Sequence, residues 1–321
     1  MLQSINLADI DKDALNLEDL FCIVYCVSDD YYKLLIGSKK NLRLSNNRNP
    51  VFTDAEVITI ALVGELKGEN SERSWWRVVN KNYRHLFPHL CDRTRYGRRL
   101  RKLKYVMEMI RQQFLFQLDV NFDRYRLVDS FPLRLLKLQR LCSSSCPFEY
   151  SATVGYCDSF KEYFYGFKVH ILMDLRGIPI SFVLTPGHPH DTQGFKQLLN
   201  EMIELRLNNV TLIVVGDKGY VGEQYAKHLK DTYGIELLAI KRQYNKDIPE
   251  SALNGLLSKT RRIIETTNSV LTEVMNANWT YCRSIKGLIT RMITKMTAFN
   301  LANYLNSLLQ QPLLEIKGFA N

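Results

Sequence analysis

The chain has 321 residues, 46% of them hydrophobic, and carries 43 Lys and Arg against 33 Asp and Glu, a net charge of +10 with a pI near 9.2. That content supports a packed core in one large domain or two ordinary ones and excludes a disordered or low-complexity chain. The basic excess points to a polyanionic partner, and no apolar run approaches the ~20 residues a membrane span needs.

Seven cysteines (Cys22, Cys26, Cys91, Cys142, Cys146, Cys157, Cys282) are odd in number and scattered, as in a reducing compartment. Asp9, Asp11, Asp13, Glu18 and Asp19 make the N-terminus unlike a signal peptide. The expectation is a cytoplasmic protein.

Residues 1–120 read as a helical, basic domain. Leu17 to Leu35 repeats apolar residues at helical intervals, and a polar loop follows from Gly37 to Pro50. Thr53-Asp54-Ala55-Glu56 is a capping box opening a helix to about Leu66. Ser71 to Asn80, holding Trp75 and Trp76, reads as a shorter helix.

Arg93 to Tyr105 is strongly cationic, with Arg95, Arg98, Arg99, Arg101 and Lys102 interleaved with Tyr96 and Tyr105. With Leu100, Leu103, Val106, Met107 and Ile110 it makes one amphipathic helix. Its basic face lacks balancing acids, which favours contact with DNA phosphates over a merely solvated surface. Helices joined by short turns also suit a helix-turn-helix-like module, though the pattern is unspecific.

After Asn121 the pattern becomes strand-like, and residues 121–280 read as an α/β domain. Tyr125 to Ser130 is a short strand ending at Asp129, with Pro132 expected to stop the ladder. Residues 137 to 150 read as loop, and Cys142-x3-Cys146 has no second ligand pair, which disfavours zinc. Tyr163 to Leu172 and Ile178 to Thr185 form a hairpin around Asp174-Leu175-Arg176-Gly177, with Gly177 at positive φ.

His188-Pro189-His190-Asp191 resembles a fragment of a metal site, but Asp191 as the cap of a helix to about Leu207 is the better reading. Val210 to Val215 is a strand buried on both faces, stopping at Gly216-Asp217-Lys218-Gly219. Asp217 lies where ligands of open α/β sheets sit, or equally turns the chain or caps the helix from Gly222.

A further strand at Ile235 to Ile240 is followed by a basic strip from Lys241. The helix from Ser258 to about Asn276 buries Ile263, Ile264, Thr267, Val270, Leu271, Val274 and Met275 and groups Glu265 with Arg261, Asn268, Ser269 and Thr272. Spacing alone favours an Arg261–Glu265 surface pair over a groove-lining role. Residues 281–321 form a C-terminal helical segment, with an amphipathic helix from Lys286 to about Leu309.

Asp129, Asp217 and Glu265 are separated by 88 and 48 residues. They stand within Leu127-Val128-Asp129-Ser130-Phe131-Pro132-Leu133, Gly216-Asp217-Lys218-Gly219-Tyr220 and Arg262-x-Ile264-Glu265-Thr266. Gly155-Tyr156-Cys157, Tyr165-Gly166-Phe167-Lys168-Val169-His170, His190-Asp191 and Arg283-Ser284-Ile285-Lys286-Gly287-Leu288 fall in order around them. Each motif is weak, but the ordered set resembles the DDE transposases of bacterial insertion sequences, and within them the insertion-sequence-982 family. One departure is Thr267-Asn268, where an aromatic residue commonly precedes the serine.

The resemblance implies an RNase H-like mixed sheet with flanking helices, preceded by an all-helical N-terminal domain. It reverses the odds on Glu265, making Asp129, Asp217 and Glu265 a catalytic, metal-binding trio. Asp129 would bridge two Mg²⁺ ions, with Mn²⁺ as a substitute, while Asp217 and Glu265 each hold one. Hard carboxylate oxygens suit such ions and phosphoryl-transfer chemistry.

The implied activity is DNA cleavage and strand transfer at terminal repeats by a homodimer on paired ends, in the bacterial cytoplasm at the nucleoid. Lys168, Lys218, Lys241 and Arg261 are candidate phosphate clamps. The competing readings are a DNA-binding remnant without catalysis and an RNase H-like nuclease without strand transfer.

Overall fold

The computed structural model describes residues 15–37, 51–120, 124–138, 148, 151–157, 161–188, 191–204, 212–217, 223–240 and 251–319, with side chains excepted at 191–192, 201–204, 217, 223, 239–240 and 251–258. The loop expected at 38–50, most of 137–150, Cys142, Cys146, His190, Lys218 and Lys241 lie outside the described residues. The chain divides into two compact units, Met1–Leu118 with Leu271–Asn321, and Asp119–Val270.

The first unit is helical: α1 Leu17–Ile36, α2 Asp54–Leu66, α3 Glu72–Asn82, α4 Arg93–Lys102 and α5 Lys104–Gln117, with α9 Ile285–Leu308 returning late in the sequence. Asn16 caps α1 by accepting from the amides of Glu18 and Asp19. The capping box at Thr53 and Glu56 is formed in both directions. α2 is buried along almost its whole length, as a helix apolar on every side must be, and α9 packs against α2 and α5. Tyr31 meets Phe114 edge-on and lies within 3.4 Å of the Tyr304 hydroxyl.

A charged knot is buried inside this apolar packing. Glu65 of α2 accepts from Arg291 Nε at 2.7 Å and Lys295 Nζ at 2.6 Å, and Lys295 also donates to the Met275 carbonyl at 2.5 Å. Desolvation lowers the Lys295 ammonium from 10.5 to about 8, with Glu65 opposing the shift. The single cationic helix expected from Arg93 is two helices. Leu103, buried, ends α4 and starts α5, its amide shared between the carbonyls of Arg99 and Leu100.

The second unit is an RNase H-like mixed α/β fold. Its strands are β1 Tyr125–Leu136, β2 Thr153–Cys157, β3 Glu162–Met173, β4 Pro179–Pro186, β5 Leu212–Asp217 and β6 Ile235–Ile240, in the order β2-β3-β1-β5-β6, with β4 also on β3. β1 runs antiparallel to β3 and parallel to β5, and β5 runs parallel to β6. β3 turns into β4 through Gly177 at φ +85°, a conformation a side chain disfavours, while the Asp174 carboxylate accepts from the amides of Arg176 and Ile178.

Pro132 does not stop the ladder: β1 continues to Leu136, with Pro132 opposite Lys168. Ile213 donates to the Arg124 carbonyl, so even-numbered β1 residues turn their amides toward β5. Pairing with β5 reaches only Val128. The amide that Pro132 lacks would therefore face an edge that no strand among the described residues covers, where proline is tolerated.

Alternation divides the sheet into two faces. Val128, Leu172, Val183 and Val214 pack with Phe195, Leu198 and Leu199 of α6 Asp191–Glu204 and Leu229 of α7 Glu223–Tyr233. α8 Ser251–Ser269 packs on β1 and passes into a π-helical turn, Val270–Val274. Ile264, Thr267, Leu271 and Met275 are buried as the periodicity predicts, and Thr267 Oγ1 donates to the Gly177 carbonyl at 3.0 Å.

Candidate active site

Asp129 and Asp217 are brought together by strand register. Val128 pairs with Gly216 across the parallel β1–β5 ladder, and each aspartate is the next residue on its strand. Asp217 is the last residue of β5, still paired with Ile240 of β6. Asp129 is not the end of its strand, as the sequence suggested; it marks the step beyond the last β1–β5 pair. It lies opposite Ile171 on β3, on the sheet face away from Val128 and the α6 core.

The third element is α8. Asn268 Nδ2 donates to Asp129 Oδ2 at 2.6 Å, which fixes this helix over the strand. Glu265 precedes Asn268 by three residues, one turn and about 4.5 Å along the axis, on the same side of the helix. Its side chain is 63% exposed and accepts from Arg261 Nε at 2.9 Å, the surface pair that spacing favoured. The polar face of α8 thus makes its Asp129 contact through Asn268, while Glu265 stands one turn away.

Asn268 is the residue whose role sequence reasoning missed. By helical period it shares the Glu265 face, and it belongs to the Thr267-Asn268 departure from the family pattern. The available signal was its three-residue offset from the glutamate.

The cationic candidates separate. Arg95, Arg98 and Lys102 are exposed on α4, at offsets that align them on one side. Arg99 is turned inward: it donates to Asp54 Oδ1 at 2.5 Å and to the Phe52 carbonyl at 2.7 Å, and lies 5.4 Å from the Phe52 ring centroid. Its expected DNA contact is therefore corrected to a structural tie. Arg101 is half-buried and lines a cavity in the helical unit.

Lys168 pairs with Pro132 on the ladder positions shared by Val128 and Leu172, which places it on the sheet face opposite Asp129. The two-residue period thus removes it from the phosphate clamp expected there. Arg261 remains on the α8 surface with Glu265.

Asp129, Asp217 and Glu265 offer only carboxylate oxygens, and their donor chemistry fits a hard divalent ion. Among the described residues no three His, Cys, Asp or Glu side chains form a metal-holding group, a set from which the Asp217 side chain is excluded. No helix among the described residues is long and apolar enough to cross a membrane.

Similarity to known proteins adds the family. A model described as the transposase DDE domain matches residues 121–301, more than half of the chain. The solved Mos1 strand transfer complex is similar at 13% identity, over 93% of this chain and 97% of that one, with a TM-score of 0.23. A pre-cleavage Mos1 transpososome is similar at 12% identity, over 92% and 98% respectively, also at 0.23. At those scores the fold rests on the strand order alone. No curated protein matches the chain. The chain belongs to the DDE transposase-domain family and is a DNA transposase.

Proposed function

We propose that this transposase serves a bacterial insertion sequence of the insertion-sequence-982 type, cutting DNA at the element's terminal repeats and joining the freed ends to a target. Asp129, Asp217 and Glu265 would hold two Mg²⁺ ions, or Mn²⁺ in their place. Bound there, such ions supply activation of the attacking hydroxyl and neutralisation of charge on the phosphate. The chain's own part is to set the carboxylates: Asp129 and Asp217 by parallel strand register, and Asp129 further by the Asn268 amide.

The observation that carries this reading is the neighbouring register of Asp129 and Asp217 under a helix bonded to Asp129. Arg95, Arg98 and Lys102 would contact DNA phosphates, and Lys218, Lys241 and Arg261 would steady the strand near the carboxylates. The working form is a homodimer on paired ends, in the cytoplasm at the nucleoid.

Single changes Asp129→Asn, Asp217→Asn and Glu265→Gln test it. Each should leave binding to end-containing duplex intact while Mg²⁺-dependent nicking and strand transfer disappear. Full cleavage by the Asp129 or Asp217 variant would refute the assignment. The exposure of Glu265 and its pairing with Arg261 favour one rival, a DNA-binding remnant without catalysis. Wild-type protein that binds ends and never nicks them would establish that rival. Nicking without joining of precut ends would mark a nuclease.

A further inference from the structure

We propose that a cavity of about 450 Å³ in the helical unit seats the phosphodiester backbone of bound DNA. The proposal rests on the transposase reading for its ligand and adds a contact site separate from the exposed α4 stripe. The cavity is bounded by α2, by the length of α4 and by the first turns of α3 and α9.

Arg73 of α3, Arg93 and Arg101 of α4, and Arg283 before α9 reach it from three stretches of sequence, and none forms an ion pair with a described residue. Glu65 in the wall is already answered by Arg291 and Lys295, which leaves Glu69 and Glu72 against four arginines. Arg73, Arg93 and Arg283 are exposed and Arg101 is half-buried, so the positive charge gathers toward the open side.

One of the converging helices is charged against its own dipole. α1, α2 and α3 each carry an acid in the first turn, where the helix end is positive. α4 opens with Arg93 and Arg95 but is capped by the Asp92 carboxylate, whereas α9 carries no acid there and has Arg283 just before its Ser284 cap and Lys286 just inside it. The α9 placement is unfavourable in the free protein and is relieved by an anion seated at that helix start. It also gives a role to Arg283-Ser284-x-x-Gly287, a motif the catalytic carboxylates leave unexplained.

The ligand is a DNA strand because the charge does not end at the cavity. Arg73 begins a row on α3, continued by Arg77 and Lys81 at offsets of four, and the exposed Arg84 follows just past the helix end. The helical part of the row, Arg73 to Lys81, runs about 12 Å along the axis. One strand of B-DNA carries a phosphate every ~3.4 Å of axis, so the track suits a run of phosphates and exceeds the needs of a single small anion.

Binding of the full chain to a short fluorescent duplex, measured by anisotropy across a salt series, tests the site. Arg73→Ala with Arg283→Ala should weaken binding roughly tenfold and lower the slope of log affinity against log salt by about two. Arg283→Ala alone should melt no lower than wild type, because it removes a cation from a helix start. An unchanged slope in the double variant would overturn the proposal, as would a lower melting point for Arg283→Ala, which would mark a structural residue. Arg98→Ala with Lys102→Ala separates the two levels: if that pair lowers the slope and the cavity pair does not, the transposase reading stands and the cavity site falls. No duplex binding by wild-type protein would overturn both.

Discussion

The Asn268 side-chain amide lies 2.6 Å from an Asp129 carboxylate oxygen, joining a helix to a strand 139 residues earlier in the sequence. The bond limits how that carboxylate can turn. Partners that orient a metal-binding carboxylate typically contribute 10–100-fold to activity or affinity. Asn268→Ala should therefore lower Mg²⁺-dependent cleavage by roughly 10–100-fold, with duplex affinity unchanged. Asn268→Asp should lose more, since it sets a second carboxylate against Asp129. A cleavage time course beside an affinity titration checks both.

Glu265 offers a different contrast. It is exposed and its partner is Arg261 on the same helix, so Glu265→Gln should change stability by less than about 0.5 kcal/mol. Cleavage should nevertheless be abolished. Thermal unfolding and a nicking assay on the same preparation measure the two effects, and retained nicking would remove Glu265 from the catalytic set.

Arg99 and Arg98 are adjacent in sequence and should behave oppositely. Arg99→Ala strips a buried Asp54 of its guanidinium while the Tyr32 hydroxyl still donates to it at 3.1 Å, a loss on the order of 2–3 kcal/mol. Arg98→Ala should leave stability within about 0.5 kcal/mol and reduce DNA affinity with a shallower salt slope. Denaturant unfolding and binding across a salt series separate them.

Lys295 gives the helical unit a pH signature. Burial holds its folded value at about 8 against 10.5, so between those values the unfolded chain carries more protons on this lysine. Its contribution therefore makes stability rise with pH across that window and is flat below it. Wild type should gain melting temperature relative to Lys295→Met between about pH 8 and 10.5. Glu65→Ala, which leaves two buried cations without their carboxylate, should lose about 3–5 kcal/mol.

Gly166 faces the β1 backbone, where a methyl group would overlap the Leu133 carbonyl oxygen. Gly166→Ala should therefore push β3 off β1 and cost more than about 2 kcal/mol, read as a lowered denaturation midpoint. Cleavage should fall with it, because β3 is the antiparallel neighbour of the strand that carries Asp129.

How much of this was legible beforehand depended on the range of the interaction. The capping box at Thr53 and the turn at Gly177 involve neighbours in sequence, and both formed as read. The buried α8 face with Ile264 and Thr267 followed from helical period alone. Pro132 was misjudged because its effect depends on which edge of β1 has a partner, a property of the assembled sheet. The faces of Lys168 and Asp129 required the register between β1 and β3. Arg99 read as surface because its partner, Asp54, lies 45 residues away. Asp129, Asp217 and Glu265 could be nominated from motif order, but the Asn268 bond could not.

The helical unit is written in two instalments, residues 1–118 and 271–321, with the whole sheet unit between them. During synthesis Glu65 emerges long before Arg291 and Lys295, the two cations that neutralise it. The half that would grip DNA must therefore wait on the ribosome until the cutting half has been made. A fragment ended after α5 would keep an acid in its interior with neither cation to meet it, and should be recovered as aggregate or as a proteolysed chain.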